Sequence, residues 1–194
     1  MTDSAGRIPL PDSKELRDDA AALLALTARD GREPPATMAL LARQPDLLAP
    51  FLGWAAALAL NGTLSHRDHE LLALRTAWNC RSEFEWVEHA EYARAAGLRD
   101  DEIALVAEPL HTGSWDERER ALLQAADELA TNCDLSDPTL AVLEQHYDRP
   151  ELVEMLFVVG QYTMLSMVAN AAGISAAPTH PMFGASRHGR ETSM

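Results

Sequence analysis

The chain has two cysteines, few aromatics and no concentration of basic residues, and each scarcity removes a class of protein from consideration. Cys80 and Cys133 are too few for a disulfide scaffold and too far apart in sequence for a CxxC pair, so both are expected as reduced thiols. Aromatic residues make up 6% of the 194 positions against 47% for hydrophobic residues as a whole, and alanine and leucine dominate that share. Helix is favoured over sheet. Lys and Arg number 16 against 30 Asp and Glu, a net charge of −14, and the cations cluster nowhere. No nucleic acid partner is expected, and no membrane partner, since an anionic bilayer would repel the chain.

The opening residues, "MTDSAGRIPLPDSKEL", contain no basic segment followed by an apolar run. No secretory leader is expected, and the cytoplasm is the default location. The most apolar stretch, 155–173, is interrupted by Gln161, Thr163, Ser166 and Asn170, which argues against a bilayer span and for a buried helix or a subunit interface. There is no internal repeat and no low-complexity block.

What the sequence does contain is helix punctuation. Asp12 with Glu15 makes a capping-box start for a helix that Gly31 can end, and a short segment follows between prolines at 34–45. Asp46 can open a third helix with Pro50 near its first turn and Gly62 past its end. Ser65 with Asp68 opens the next, Ser82 starts one that stops at Gly97, and an acidic-started turn of helix follows at 100–108. Ser114 with Glu117, then Ser136, then Pro150 mark the remaining starts, and the run "WDERERALL" reads as a solvated face with i, i+4 pairing. No strand is predicted. The expectation is an all-α domain of seven to nine helices over residues 11–176, with polar tails at 1–10 and 177–194 that lie on the surface or cross to a neighbour.

The stretch "SEFEWVEHAEYARAAG", 82–97, carries three carboxylates, a tryptophan and a histidine in its first eight residues. With Ser82 as N-cap, Glu85 is at N3 and its carboxylate can reach back to the Ser82 amide. His89 is then simply its i, i+4 partner on a helix surface, worth about 0.5 kcal/mol. That structural reading accounts for the motif by itself.

The surrounding segment, "RDHELLALRTAWNCRSEFEWVEHAEYARAAGLRDDEI", resembles the core of the carboxymuconolactone decarboxylase and alkylhydroperoxidase D (AhpD-like) superfamily. The peroxidase branch carries a Glu, twelve residues on a Cys, a Cys three further and a His four further. Glu70 and His89 fall on the first and last of these positions, and Ser82 and Glu85 replace the two cysteines. The likeness extends through "RIPLPD", "WDERERALLQAADELA" and "VVGQYTMLSMVANAAG", most of the chain. It implies an AhpD-like helical fold and a homo-oligomer, a trimer or hexamer. It does not imply the dithiol activity, which needs a low-pKa thiolate and a resolving thiol within reach. Cys80 lies two residues before the first cysteine position and should point elsewhere.

The substituted site makes chemical sense of another kind. Glu70, Glu85 and His89 would place two carboxylates and an imidazole around one cavity, with Trp78, Ser82, Phe84, Trp86 and Tyr162 as substrate-binding walls. Like charges in a poorly solvated pocket push one carboxyl pKa up and hold the histidine as imidazolium or as one tautomer, which separates an acid from a base. Such a pair suits proton transfer, isomerisation or decarboxylation of a small organic acid or carbonyl compound, a small-molecule substrate that calls for no cofactor and no metal. Three alternatives stand beside it: an AhpD-like peroxidase, disfavoured by the missing CxxC; a metal-dependent lyase using the same three residues; and a non-catalytic oligomeric binding protein. Bland readings apply elsewhere. Tyr162 and Gln161 can satisfy buried hydrogen bonds, Asn170 can be a packing contact, His66 and His69 at a polar helix start are expected in solvent, and His111, His146, His180 and His188 are assigned no role.

Overall fold

The computed structural model describes residues 7–28 and 31–175. Among them the chain forms a short 3-10 turn, Ser13–Glu15, and nine α-helices: α1 Asp18–Ala25, α2 Ala36–Leu41, α3 Pro45–Leu60, α4 His66–Asn79, α5 Glu83–Ala95, α6 Asp100–Val106, α7 Glu117–Asn132, α8 Asp137–His146 and α9 Arg149–Ala172. No strand occurs among the described residues. The expected tails lie largely outside them. Residues 7–10 are described and exposed, with the Ile8 amide donating to the Ala172 carbonyl at 3.1 Å.

Caps set most of the boundaries. Ser65 Oγ accepts from the Asp68 amide at 3.1 Å, Ser136 Oγ from Thr139 at 3.4 Å, and Asp148 and Glu151 exchange both bonds of a capping box at the start of α9. Gly173, at φ 72°, ends α9 in the left-handed conformation that glycine adopts without strain. Three starts differ from expectation. Helix α3 begins at Pro45, with Gln44 at the N-cap position and Asp46 inside its first turn rather than capping it. The first predicted helix is broken at Leu16 and Arg17, both extended, because Leu16 turns in to pack with the α1–α3 cluster. Helix α7 begins two residues late: Trp115 is buried, so the chain runs inward before Asp116 caps the Glu119 amide at 2.7 Å.

Helix α4 is the central element, packed against α5, α6, α7 and α9, with every residue from Asp68 to Ala77 buried. Its polar members are paired across to neighbours, as burial requires. Arg75 forks onto Asp127 with two bonds of 2.7 Å and donates to the Val106 and Glu108 carbonyls, tying α4 to α7 and to the end of α6. Asp68 is paired with Arg118, and Arg67 bridges Glu119 and Glu102 at 2.8 and 2.6 Å. Within the "WDERERALL" run, Arg118 and Glu119 belong to this interhelical ion-pair layer, while Asp116, Glu117 and Arg120 are exposed as a solvated face would have them. Buried partners on α4 outcompete i, i+4 pairing in water.

Two apolar clusters result. The larger joins α4 through α9, and the smaller joins Ala20, Leu24, Met38, Ala42 and Leu48 of α1–α3. Leu165 of α9 touches both. Helix α3 is apolar along its length, yet only Leu48 is fully buried. It is held to α9 by Trp54, whose Nε1 donates to Gln161 Oε1 at 3.0 Å and whose ring meets Phe157 edge-on at 5.4 Å. Between the clusters, under α3, lies a cavity. Helix α9 is long and apolar enough to cross a membrane by length and composition, but it packs on α4, α5, α7 and α8 and buries Gln161, Tyr162 and Ser166, the pattern of a core helix.

Candidate active site

The corner between α4 and α5 sets the geometry. Helix α4 ends through Arg81, a non-glycine residue at φ 52°, with Ser82 N–H bonded to the Ala77 carbonyl and Asn170 Nδ2 of α9 donating to the Cys80 carbonyl at 2.8 Å. The two helices pack closely from this corner, which brings the middle of α4 beside the middle of α5. On α5, Glu85, Glu88, His89 and Tyr92 share the i, i+3, i+4, i+7 face and line the cavity, while Trp86, Ala90 and Ala93 face the core.

Glu70, Glu85 and His89 meet there. His89 Nδ1 lies 2.7 Å from Glu70 Oε2, and His89 Nε2 lies 3.8 Å from Glu85 Oε2. The first distance is a charge-assisted hydrogen bond and the second is too long for one. Glu85 is 3% exposed, and its Oε1 makes no hydrogen bond to any described residue. Its carboxylate does not close the expected box on Ser82, which contributes only the forward half, Oγ accepting from the Glu85 amide at 3.5 Å.

The charges follow from this placement. Burial pushes the Glu85 carboxyl up to about 7, against the opposing pull of His89 and with Glu88 adding repulsion. Burial alone would lower the His89 pKa, but the adjacent Glu70 carboxylate outweighs it and raises the value, with Glu85 and Glu88 behind it. The site therefore favours an imidazolium, fixed by Glu70, beside a carboxyl that near neutrality is poised to gain or lose a proton. Tyr162 closes one side, its ring centroid 4.2 Å from that of His89 and its pKa raised well above normal, first by burial and then by the Glu70 charge. Its hydroxyl lies 2.8 Å from His69 Nε2.

The cavity is about 740 Å³ in volume. Phe84 and Tyr162 line it as expected walls; Trp78, Ser82 and Trp86 do not. Trp86 follows Glu85 by one residue, about 100° around the helix, and is buried in the core against the Trp78 ring at 6.0 Å. Ser82 is spent as the cap. His69, expected in solvent, is buried, and burial lowers its pKa despite the nearby Glu70. His66 is exposed and lines the cavity. Glu88 and Tyr92 were legible from the spacing on α5, whereas the lining from α1–α3 had no local signal. Among the described residues no group of three or more His, Cys, Asp or Glu side chains is placed to hold a metal ion. Cys80 does not line the cavity; its thiol is half-buried beside Thr163 and Ser166 of α9, and burial raises its pKa. Cys133 is exposed.

The match to the carboxymuconolactone decarboxylase family covers residues 45–128, which include all of α4 and α5. The match spans less than half of the chain and centres on the helices that carry the site. Over nearly the whole chain, the fold is shared with two solved structures. An uncharacterised peroxidase-related protein from Silicibacter sp. TM1040 superposes with a TM-score of 0.76 at 18% identity, covering 92% of this chain and 95% of the other. An uncharacterised peroxidase-related protein from Ralstonia eutropha JMP134, described as an alkylhydroperoxidase AhpD core, also gives 0.76, at 20% identity over 92% and 94%. At such identity the likeness establishes an AhpD-like fold. The chain matches no curated protein.

Proposed function

We propose that this carboxymuconolactone decarboxylase-like protein is an acid/base enzyme that moves protons on carbon next to a carbonyl group, leading to isomerisation or decarboxylation. The observation that carries the reading is Glu85: a buried carboxyl with an unpartnered oxygen, beside an imidazolium, in the wall of a cavity that a substrate can fill. In its ionised form Glu85 takes a proton from the substrate carbon; the C–H bond breaks, the carboxyl O–H forms, and the electron pair moves onto the carbonyl oxygen. His89 Nε2–H faces the region where that oxygen gathers charge and stabilises it. Glu70, bonded to Nδ1, keeps the ring protonated and oriented, acting through His89 as a positioning residue. Glu85 then returns the proton to the same or another carbon, which completes an exchange or an isomerisation. A pKa near working pH suits a group that must both take and give.

A thiol route has less support, since Cys80 turns to α9 and Cys133 is exposed. The test is solvent-deuterium exchange into the methyl group of 2-acetylnaphthalene, followed by NMR. Glu85→Gln and His89→Gln should each slow protein-dependent exchange by about 10²-fold or more, and Cys80→Ser with Cys133→Ser should leave it unchanged. Exchange that survives both site variants, or that needs the cysteines, removes the reading.

A further inference from the structure

We infer that the cavity selects uncharged substrates and rejects carboxylates, which narrows the acid/base reading to neutral carbonyl compounds and to proton transfer or isomerisation. The inference rests on that reading only for the carbonyl. The charge preference comes from the walls.

Among the described residues that line the cavity there is no Lys and no Arg. The titratable groups that share the described lining with Glu85 are Glu88, His89 and Tyr92 on its own helix, His66 and Glu70 on α4, and Tyr162 on α9, whose hydroxyl is met from behind by His69; α1, α2 and α3 contribute no charged side chain to the described lining. Of these, the His89 imidazolium is already paired with Glu70 at 2.7 Å, and His69 is kept neutral by burial. The Arg32 guanidinium, whose charge is felt by Glu88, is not part of the described lining; it is bonded through two nitrogens to Glu91 on the exposed side of α5. A substrate carboxylate would leave water, meet Glu85 and Glu88, and find no guanidinium or ammonium group in the described wall. Enzymes that take carboxylates usually present a fork of guanidinium donors for them, and this cavity has none in its described wall.

The rest of the wall matches an apolar body. Leu52, Ala55 and Ala56 of α3, Met38 of α2, Phe84 of α5 and Leu165 of α9 surround the carboxyl-lined end. A volume of about 740 Å³ accommodates a bicyclic or medium-chain compound with room to orient. Such a compound places its one polar group, a carbonyl, where Glu85 and His89 are and buries the remainder against aliphatic side chains.

The test compares 2-acetylnaphthalene with 2-naphthoate, of nearly the same size and shape, by isothermal titration calorimetry on the full chain at pH 6 and pH 8. The ketone should bind at least about tenfold more tightly than the carboxylate at pH 8, as expected for an unpaired anion in an apolar site. The gap should narrow at pH 6, where Glu85 is protonated, and Glu85→Gln should remove most of that pH dependence. Glu88→Gln, a change at a half-buried position in the cavity wall, should strengthen naphthoate binding more than that of the ketone and so narrow the gap. Equal or tighter naphthoate binding in the native protein overturns the inference, as does a gap that neither variant changes, or no ketone binding up to its solubility limit. Binding is read without turnover, so the two claims fail separately. Tight naphthoate binding with intact proton exchange would leave the acid/base reading in place with decarboxylation as its reaction; ketone selectivity without exchange would remove that reading and keep the selectivity.

Discussion

Glu85 Oε2 stands 3.8 Å from His89 Nε2 one turn along α5, while Glu85 Oε1 has no hydrogen-bond partner among the described residues. A helix cap does not need this arrangement. The Ser82 hydroxyl caps the Glu85 amide by itself, and the Glu85 side chain is buried against its own preference for water. Function gives such a placement a purpose that helix stability does not.

The cost has a definite sign. With a folded value of about 7 against an ordinary value of 4.5, Glu85 holds more protons folded than unfolded between these limits. Its contribution to stability therefore falls as pH rises from about 4.5 to about 7 and is fully lost above that, a difference of about 3 kcal/mol. His89, with its pKa raised, acts in the same direction: its pairing stabilises below the ordinary histidine value and is lost as pH rises through the folded one. Glu85→Gln should raise the urea midpoint at pH 8, have little effect at pH 5, and abolish activity at both. A loss of stability at pH 8 would show that the carboxylate is structural.

The parts legible in sequence were those that local chemistry decides. Ser65 and Ser136 start helices, and Pro150 sits in the first turn of α9, because a hydroxyl or a fixed φ suits an N-terminus whatever packs on it; Glu70 and His89 came from the motif spacing of the family that the segment resembles. Tertiary competition decided the remainder. Ser114 lost its capping role because Trp115 had to be buried, and Arg118 left its own helix surface for Asp68. His69 read as solvated at a polar helix start, and only the approach of α9 gives it Tyr162 as a partner. Trp78 and Trp86 read as walls because they neighbour the site in sequence, but helical rotation carries them to the core.

The ion-pair layer around α4 should carry stability rather than activity. Asp127 holds both Arg75 and Asn79, so Asp127→Ala leaves a buried guanidinium unpaired at a cost of about 3 kcal/mol. Chemical denaturation measures this directly, and a change below about 1 kcal/mol would mean that water replaces the carboxylate.

Oligomerisation follows from what α3 and α9 leave uncovered. Trp54 is 41% exposed, Phe157 53% and Met167 62%, and the first two are in contact across the two helices. We propose that this face is covered by further copies of the chain, as a trimer or hexamer. Light scattering at micromolar concentration should report the oligomer, and Phe157→Glu should shift it toward monomer by burying a charge in the interface. A monomeric native protein would refute the proposal.

The titration of Glu85 itself bears most directly on the acid/base site. With 13C label in the glutamate side chains and Glu85→Gln for assignment, the carboxyl resonance of Glu85 should titrate at about 7. In His89→Gln, the loss of the opposing imidazolium should move that value higher. A midpoint near the ordinary 4.5 in the native protein would show a solvated carboxylate without catalytic tuning, and would contradict the acid/base site.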